Sequence, residues 1–170
     1  AYTYVAARLL LNQIYEEVLP KFDSPVELPK VHRDHFRDYL QRGIAAERLT
    51  PDLLKFDLDK LAEALELERD QQFAYMGIQT IYDRYLIHVN GKRIETPQYF
   101  FMRVSMGLAI NEENREARAI EFYNTLSSFR FMSSTLRSPP PTVRGMNTCS
   151  AVRDTTSRMM SRSSVEAVMS

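Results

Sequence analysis

The sequence predicts a mainly α fold: a helical bundle with one small β-hairpin, followed by a disordered C-terminal tail. Three observations support this prediction. Apolar residues recur at helical spacing through most of residues 1–128. An Asn90-Gly91 pair separates two alternating segments. All eighteen aromatic residues lie at or before Phe131, so the character of the chain changes near residue 135.

The first helix is predicted from apolar residues at helical spacing between Tyr4 and Val18, and it ends before Pro20. Its outer face carries the Glu16-Glu17 pair, for which we expect solvated positions. A second helix is predicted over about residues 31–46. A third begins after Thr50-Pro51, because threonine is a good cap and proline suits a first helical turn. Amphipathic patterns follow at 57–68 and 73–85.

Helical periodicity then gives way to a hairpin, with strands over 85–89 and 92–95 joined by the Asn-Gly turn. The Thr96-Pro97 pair restarts a helix that reaches Ile110. Asn114 or a neighbour caps a last helix ending near Ser128, and residues 129–132 have the pattern of a beginning strand.

The tail differs from the rest of the chain in charge as well as in aromatic content. Residues 136–170 carry five basic and two acidic side chains, and residues 1–135 carry 17 and 20, so the whole chain is formally neutral. Without large apolar side chains the tail cannot offset the entropy of ordering, and residues 138–170 are therefore predicted to be disordered. A basic tail also suits nucleic acid, but scattered arginines are more typical of a solvated tail.

Composition and motifs limit the possible functions. Neutral net charge gives no general reason to expect nucleic acid or a membrane as partner. No apolar run has the roughly 20 residues of a membrane-spanning helix, and no signal-peptide pattern opens the chain. A single cysteine, Cys149, excludes an internal disulfide framework. The expected location is the cytoplasm.

Candidate sites are few. His32 and His35 are spaced to share one helix face, but no third ligand follows, so we expect surface histidines rather than a metal site. The run Tyr99-Phe100-Phe101 suits base stacking or, at helical spacing, a core position, which we favour. The adjacent carboxylates of Glu16-Glu17 and Glu112-Glu113 cannot form an acid/base pair, and no glycine-rich phosphate loop is present. Chemistry alone therefore predicts no active site.

Several segments nevertheless resemble one family, the class I ribonucleotide reductase large (alpha) subunit. The similar segments are residues 2–10 (YTYVAARLL), 83–86 (DRYL), 95–109 (ETPQYFFMRVSMGLA), 121–124 (EFYN) and 131–135 (FMSST). Together they cover about residues 2–135 in the order and spacing of that subunit's amino-terminal helical region.

The resemblance implies that residues 1–128 form the helical domain, that 129–137 begin the first strand of an α/β barrel, and that 138–170 are a non-family tail. It implies a parent oxidoreductase that reduces ribonucleoside diphosphates to deoxyribonucleoside diphosphates for DNA synthesis by a thiyl-radical mechanism. By the same resemblance, the parent is expected to work with a second large subunit, a small subunit bearing a metal and radical, a dithiol reductant and nucleoside triphosphate effectors that bind allosterically. The resemblance implies no cofactor held by this chain itself.

One site residue is carried over by the resemblance. The family's first barrel strand ends in Ser-Thr-Pro-Thr, whose first threonine contacts substrate, and Thr135 occupies that place, although it can also simply end a strand. Beyond Thr135 the family pattern stops. Cys149 lacks the preceding Ser-Ser and the family spacing, so it is not assigned the redox role. We interpret the tail as sequence joined to a family fragment by deletion, frame disruption or misassembly.

Two functional hypotheses remain open beside a basic-tailed nucleic-acid binder. The first is a reductase fragment with no turnover of its own. The second is a helical interaction module that binds reductase subunits through an apolar face left exposed.

Overall fold

A computed structural model of the protein describes residues 2–130, and it confirms a mainly helical fold with one hairpin. The elements in chain order are α1 (Tyr2–Val18), α2 (Leu28–Ala45), a short 3-10 helix (Pro51–Lys55), α3 (Leu58–Glu63), a second 3-10 helix (Leu67–Gln72), α4 (Tyr75–Arg84), β1 (His88–Val89), β2 (Lys92–Arg93), α5 (Pro97–Ala109) and α6 (Arg115–Ser127).

The first two helices are close to their predicted bounds. α1 ends two residues before Pro20, which cannot continue a helix. α2 begins three residues earlier than predicted, because Pro29 occupies its first turn, where a missing N–H costs nothing.

The segment between α2 and α4 is more broken than the sequence predicted. Thr50 does cap a helix, accepting from the backbone N–H of Asp52 at 3.3 Å, but the helix is a single 3-10 segment. The predicted amphipathic stretch 57–68 is also not one helix, because α3 ends at Glu63. The backbone N–H of Glu66 donates instead to the Tyr123 hydroxyl at 2.9 Å, a tertiary contact that competes with helix continuation.

The hairpin forms where Asn-Gly predicted it, with strands of two residues each. His88 pairs with Arg93 and Val89 with Lys92 in antiparallel register. Asn90 and Gly91 have φ of 51° and 78°, the two positive values that a type I′ turn requires.

The centre of the core is α5, which packs along α6, while α1 packs on α4. Tyr99, Phe100 and Phe101 are buried, which confirms their prediction as core. α5 also buries polar residues, namely Gln98, Arg103 and Ser105. A helix that is buried on nearly all sides needs partners for those groups, and these partners define the candidate site described below.

The chain turns sharply after α6. Phe129 has φ of +54° and donates its backbone N–H to the carbonyl of Leu126 at 3.2 Å. Phe129 and Arg130 form a turn and a bend, and the strand predicted over 129–137 extends mostly beyond them. The rest of that predicted strand, Thr135, Cys149 and the predicted disordered tail lie outside the described residues.

Within residues 2–130, every helix is too short or too polar to cross a lipid bilayer.

Candidate functional site

The segment that leads from the hairpin into α5 places polar side chains deep in the core. Thr96 is the N-cap of α5, accepting from the backbone N–H of Tyr99 at 3.3 Å, and Pro97 occupies the first turn. Glu95, Thr96 and Gln98 are completely buried. Three polar residues so close together at one helix start imply a network of partners on both sides of α5.

On one side, Glu95 forms a buried ion pair with Arg103, two turns along α5. The guanidinium donates from Nε to Oε1 at 2.6 Å and from the second nitrogen to Oε2 at 3.2 Å, a forked arrangement. The Tyr39 hydroxyl of α2 donates to Oε1 at 2.5 Å, and the backbone N–H of Ile87 donates to Oε2 at 3.0 Å. One carboxylate therefore links α2, the hairpin and α5.

The contacts of Arg103 stabilise its charge despite its burial. Burial alone would lower the pKa of Arg103, but the Glu95 carboxylate and the Tyr39 hydroxyl together outweigh burial and raise this pKa above its ordinary value. Burial, assisted by the Glu95 carboxylate, raises the pKa of Tyr39 well above its usual range, so this hydroxyl stays protonated and donates.

The ring of Tyr99 lies between two side chains of α2. His32 stacks on it with ring centroids 4.3 Å apart, and Tyr39 stacks at 4.8 Å. Phe36 is tilted against it at 5.4 Å. Because His32, Phe36 and Tyr39 are spaced i, i+4 and i+7, one face of α2 supplies all three contacts.

The prediction of surface histidines is wrong for His32. Its side chain is 1% exposed, its Nε2 lies 2.8 Å from Oγ1 of Thr96, and its carbonyl accepts from the Tyr99 hydroxyl. His35 is also largely covered, with a side chain 11% exposed. Helical periodicity failed here because the aromatic face of α2 continues through the histidine, whose flat ring packs as an aromatic side chain does.

On the other side of α5, Asp70 is the centre of a second buried cluster. The Tyr15 hydroxyl of α1 donates to Oδ2 at 2.6 Å, and the Gln98 amide nitrogen donates to Oδ1 at 2.6 Å. The Gln98 oxygen accepts in turn from the Tyr123 hydroxyl of α6 at 2.5 Å. Gln98 therefore joins the second 3-10 helix to α6 and, through Asp70, to α1.

Asp70 has no basic partner among these contacts. Burial raises its pKa to about 7, against the two hydrogen bonds, which favour the ionised form. Burial also raises the pKa of Tyr123 to about 12, so its hydroxyl remains a donor at neutral pH.

The hairpin is fixed to the end of α1 by Glu17. Its carboxylate accepts from the backbone N–H of Arg93 at 2.5 Å and from the Tyr82 hydroxyl at 3.4 Å. The Arg93 guanidinium lies over the Tyr82 ring, 4.3 Å from its centroid. Glu17 is therefore half-buried rather than freely solvated as expected, because the hairpin returns to α1 and partly covers it.

The arrangement is suited to positioning rather than to catalysis. The two clusters are closed to solvent, and their carboxylates already accept from protein donors, so a substrate cannot reach them. Among residues 2–130, no group of three or more histidine, cysteine and acidic side chains is placed to hold a metal ion. The predicted site residue, Thr135, lies outside the described residues, as does Cys149.

Sequence reasoning missed the cluster residues Tyr39, Asp70, Glu95, Gln98 and Arg103 as a functional group. One signal was available: Arg103 interrupts the apolar run of α5, and Glu95 lies eight residues before it, two helical turns away. Asp70 carried no such signal, since it is surrounded by polar residues in sequence.

The comparisons with known proteins agree with one another. A family model described as the ribonucleotide reductase all-alpha domain matches residues 71–136. The chain is 51% identical over 135 residues to a ribonucleoside-diphosphate reductase subunit alpha of Chlamydia muridarum, and 52% identical over 135 residues to that of Chlamydia trachomatis. It is 38% identical over 136 residues to that of Helicobacter pylori.

These alignments cover 79% of the chain in each case, but only 13% of each chlamydial relative and 16% of the Helicobacter relative. The match to the all-alpha domain includes α4, the hairpin, α5 and α6, and thus both polar residues of α5 that organise the clusters. The chain therefore belongs to the family of ribonucleoside-diphosphate reductase large (alpha) subunits, of which it carries the all-alpha domain.

Proposed function

We propose that residues 2–135 serve as the helical domain of a reductase that converts ribonucleoside diphosphates to deoxyribonucleoside diphosphates. The observation that carries this proposal is the identity of 51–52% over 135 residues to chlamydial alpha subunits. In this role the domain is a rigid support, and the buried pairs around α5 hold the support in one arrangement. The parent would need a small subunit bearing a metal and radical, a dithiol reductant and nucleoside triphosphate effectors.

The 170 residues themselves are proposed to have no turnover. The family mechanism uses a thiyl radical and a separate cysteine pair, whereas this sequence has one cysteine. The direct test mixes the purified chain with a reductase small subunit, a dithiol, ATP and cytidine diphosphate. No deoxycytidine diphosphate is expected, and turnover that depends on the small subunit would overturn the proposal.

A chimera tests the supporting role. The matching segment of the Chlamydia trachomatis alpha subunit is replaced by residues 2–135 of this chain, and reduction of cytidine diphosphate is measured. Because the two segments are 52% identical, the chimera is expected to fold and to retain activity within about tenfold of the parent. A folded chimera without activity would contradict the assignment.

The same chimera tests Thr135, which the family resemblance assigns to substrate contact. Loss of one hydroxyl contact is worth roughly 1.4 kcal/mol, or about tenfold in KM. Thr135→Ala is therefore expected to raise the KM for cytidine diphosphate about tenfold. The matched control is Thr125→Ala, since the Thr125 hydroxyl bonds only the carbonyl of Glu121 in its own helix. Equal kinetics of the two variants would remove Thr135 from the site.

A second candidate function is an interaction module for reductase subunits, and one observation favours it. Tyr2, Val5 and Leu9 form an apolar stripe on α1 and are 92%, 60% and 67% exposed, while the opposite face of α1 is buried. A helix that is apolar on both faces is normally covered on both faces. The stripe ends at Leu9, because the next residues on this side of the helix are the polar Asn12 and Glu16.

Co-sedimentation with the chlamydial alpha subunit and with its small subunit tests this candidate. Val5→Gln combined with Leu9→Gln is expected to abolish binding and to leave folding intact. Val26→Gln is the matched control, because Val26 is an exposed apolar residue away from the stripe. Binding that survives the double substitution would eliminate the stripe as the interface.

A further inference from the structure

Two buried side-chain nitrogens in the described part of the chain lack a hydrogen-bond partner, Nδ1 of His32 and Nε2 of His35. His32 is the more telling, because it is almost completely buried. Buried polar atoms in native proteins are nearly always paired. The unpaired nitrogen therefore marks a position where the protonation state of the imidazole matters.

The neutral imidazole fits this site. With a proton on Nε2, it donates to Oγ1 of Thr96 at 2.8 Å, and the lone pair of Nδ1 remains unused. The other neutral tautomer would place the proton on Nδ1, which has no acceptor, so the tautomer protonated on Nε2 is the one that fits. The imidazolium does not fit, because it carries an N–H on both nitrogens and the one on Nδ1 has no acceptor.

The surroundings of His32 also disfavour a positive charge. Its imidazole lies against the N-terminus of α5, where the helix dipole is positive. Arg33 and His35, on its own helix, add repulsion. On the α5 side the carboxylate of Glu95 is already neutralised by Arg103. The face of the Tyr99 ring attracts cations, but Tyr39 covers its other side and no carboxylate accompanies it.

The other acidic side chains of α2, Asp34 and Asp38, interact with His35 and Tyr99 rather than with the His32 imidazole. Asp38 lies 3.8 Å from Nδ1 of His35, with its own side chain largely exposed. Asp34 and Asp38 influence the Tyr99 hydroxyl, whose pKa burial raises above its ordinary range, so that this hydroxyl remains a donor to the carbonyl of His32.

His32 joins α2 to the first turn of α5 in three ways. Its Nε2 bonds the cap residue Thr96, its ring stacks on Tyr99, and its carbonyl accepts from the Tyr99 hydroxyl. We infer that His32, Thr96 and Tyr99 form a proton-sensitive latch, which holds α2 on α5 while the imidazole is neutral and releases α2 when His32 takes up a proton. We call these three residues the α2–α5 latch.

The pH range of the latch follows from the two protonation equilibria. Burial lowers the pKa of His32 to about 3, whereas an exposed histidine has a pKa near 6.5. Because the folded pKa is the lower one, the closed state is most stable relative to the open state above pH 6.5. Its relative stability decreases as the pH falls from 6.5 towards 3. Opening takes up one proton in that range, so its equilibrium constant rises about tenfold per pH unit, or about 25-fold between pH 7 and 5.

Amide hydrogen exchange on the 170-residue chain tests the latch. The reporters are the amides of Phe36, Tyr39 and Tyr99, with rates corrected for the intrinsic effect of pH. In the unmodified chain their opening is expected to increase about 25-fold between pH 7 and 5. His32→Gln should remove this slope. His88→Gln, a matched change of an exposed histidine on β1, should keep it. An unmodified chain with less than a threefold change, or a His32→Gln slope equal to that of the unmodified chain, would overturn the inference.

Two further measurements cover other outcomes. The amides of α6 report opening of the whole domain, and α2 amides that change in parallel with them would show that the proton acts on the whole fold rather than on the latch. If His32→Gln does not fold, histidine side-chain NMR of the unmodified chain is decisive. The latch requires the folded signal of His32 to remain that of a neutral ring at pH 5. Titration near pH 6.5 with unchanged α2 protection would refute it.

Discussion

The buried ion pair of Glu95 and Arg103 gives the sharpest test of how this domain is held together. Glu95→Gln keeps the shape of the side chain but replaces one carboxylate oxygen by an NH2 group. That group faces donors, since the two carboxylate oxygens accept from Tyr39, Ile87 and Arg103. The substitution also leaves the guanidinium of Arg103 buried without a counter-ion.

The expected loss is large because both charges are excluded from water. Removing one partner of a buried, hydrogen-bonded ion pair costs about 3–5 kcal/mol. Domains have a total stability of about 5–15 kcal/mol, so this loss is a substantial share of it. With a urea dependence of about 2 kcal/mol per molar, the unfolding midpoint should fall by about 2 M.

Urea unfolding followed by circular dichroism measures the effect, and two variants sharpen it. Glu95→Gln combined with Arg103→Met removes both charges, and it is expected to be more stable than Glu95→Gln alone, since no buried charge is left unpaired. Glu121→Gln is the matched control, because Glu121 pairs with Arg118 on an exposed surface, where a pair contributes less than about 1 kcal/mol.

A small effect would refute this reasoning. If Glu95→Gln lowers the free energy of unfolding by less than about 1 kcal/mol, as a surface pair would, the carboxylate is not shielded as the structure has it. If the double variant loses as much stability as Glu95→Gln and Arg103→Met lose together when each is measured alone, the two charges do not interact.

Three further predictions concern pH and backbone strain. Because burial raises the pKa of Asp70 to about 7, the contribution of Asp70 to stability is greatest below pH 4 and is lost as the pH rises through 7. In urea unfolding at a series of pH values, the unmodified chain should lose about 2.5 kcal/mol relative to Asp70→Asn between pH 5 and 7.5. A stability difference that stays constant over this range would contradict the prediction. Phe129 has positive φ and packs edge-on against Phe73 at 4.9 Å, so both Phe129→Ala and Phe129→Gly should destabilise the fold. In urea unfolding the glycine variant should be about 1 kcal/mol more stable than the alanine variant, because glycine adopts positive φ without strain. The reverse order would exclude backbone strain at this position. Gly91→Ala should lower the free energy of unfolding by about 1–2 kcal/mol in the same assay. A Cβ at this position meets no atom within 4 Å, so the loss comes only from the backbone strain of an alanine at φ +78°. An unchanged midpoint would show that the turn rearranges.

His32 and Asp70 act on global stability with opposite signs. Below pH 6.5 the unfolded chain binds a proton at His32 that the folded chain excludes, whereas the folded chain retains a proton at Asp70 that the unfolded chain releases. The two contributions largely cancel between pH 4 and 6.5. A flat stability curve in that range is therefore compatible with a strong local pH dependence at the α2–α5 latch.

Local sequence chemistry correctly predicted those elements whose cause is local. Thr96 and Pro97 start α5 because a cap and a fixed φ act within one turn. Asn90 and Gly91 form the hairpin turn because both tolerate positive φ. By contrast, the predicted helix over 57–68 ends at Glu63, and the backbone N–H of Glu66 donates to Tyr123, 57 residues away, a contact that no local pattern encodes.

The polar core is the part of this protein that only the tertiary structure decided. From the sequence, His32 was expected at the surface and Glu17 in solvent, because a polar side chain at an amphipathic boundary is usually hydrated. Their exposure depends on which element returns to cover them: the start of α5 buries His32, and the hairpin partly covers Glu17.

The sequence by itself determined the family, the mainly helical class and the position of the hairpin, since each follows from residue order and short-range conformational preference. It also identified the aromatic run that becomes the centre of the core. The pairing of Glu95 with Arg103 and Tyr39, and of Asp70 with Gln98 and Tyr15, was decided by tertiary packing. A buried charge is tolerated only where distant segments bring its partners within hydrogen-bond distance, and that distance is a property of the folded chain.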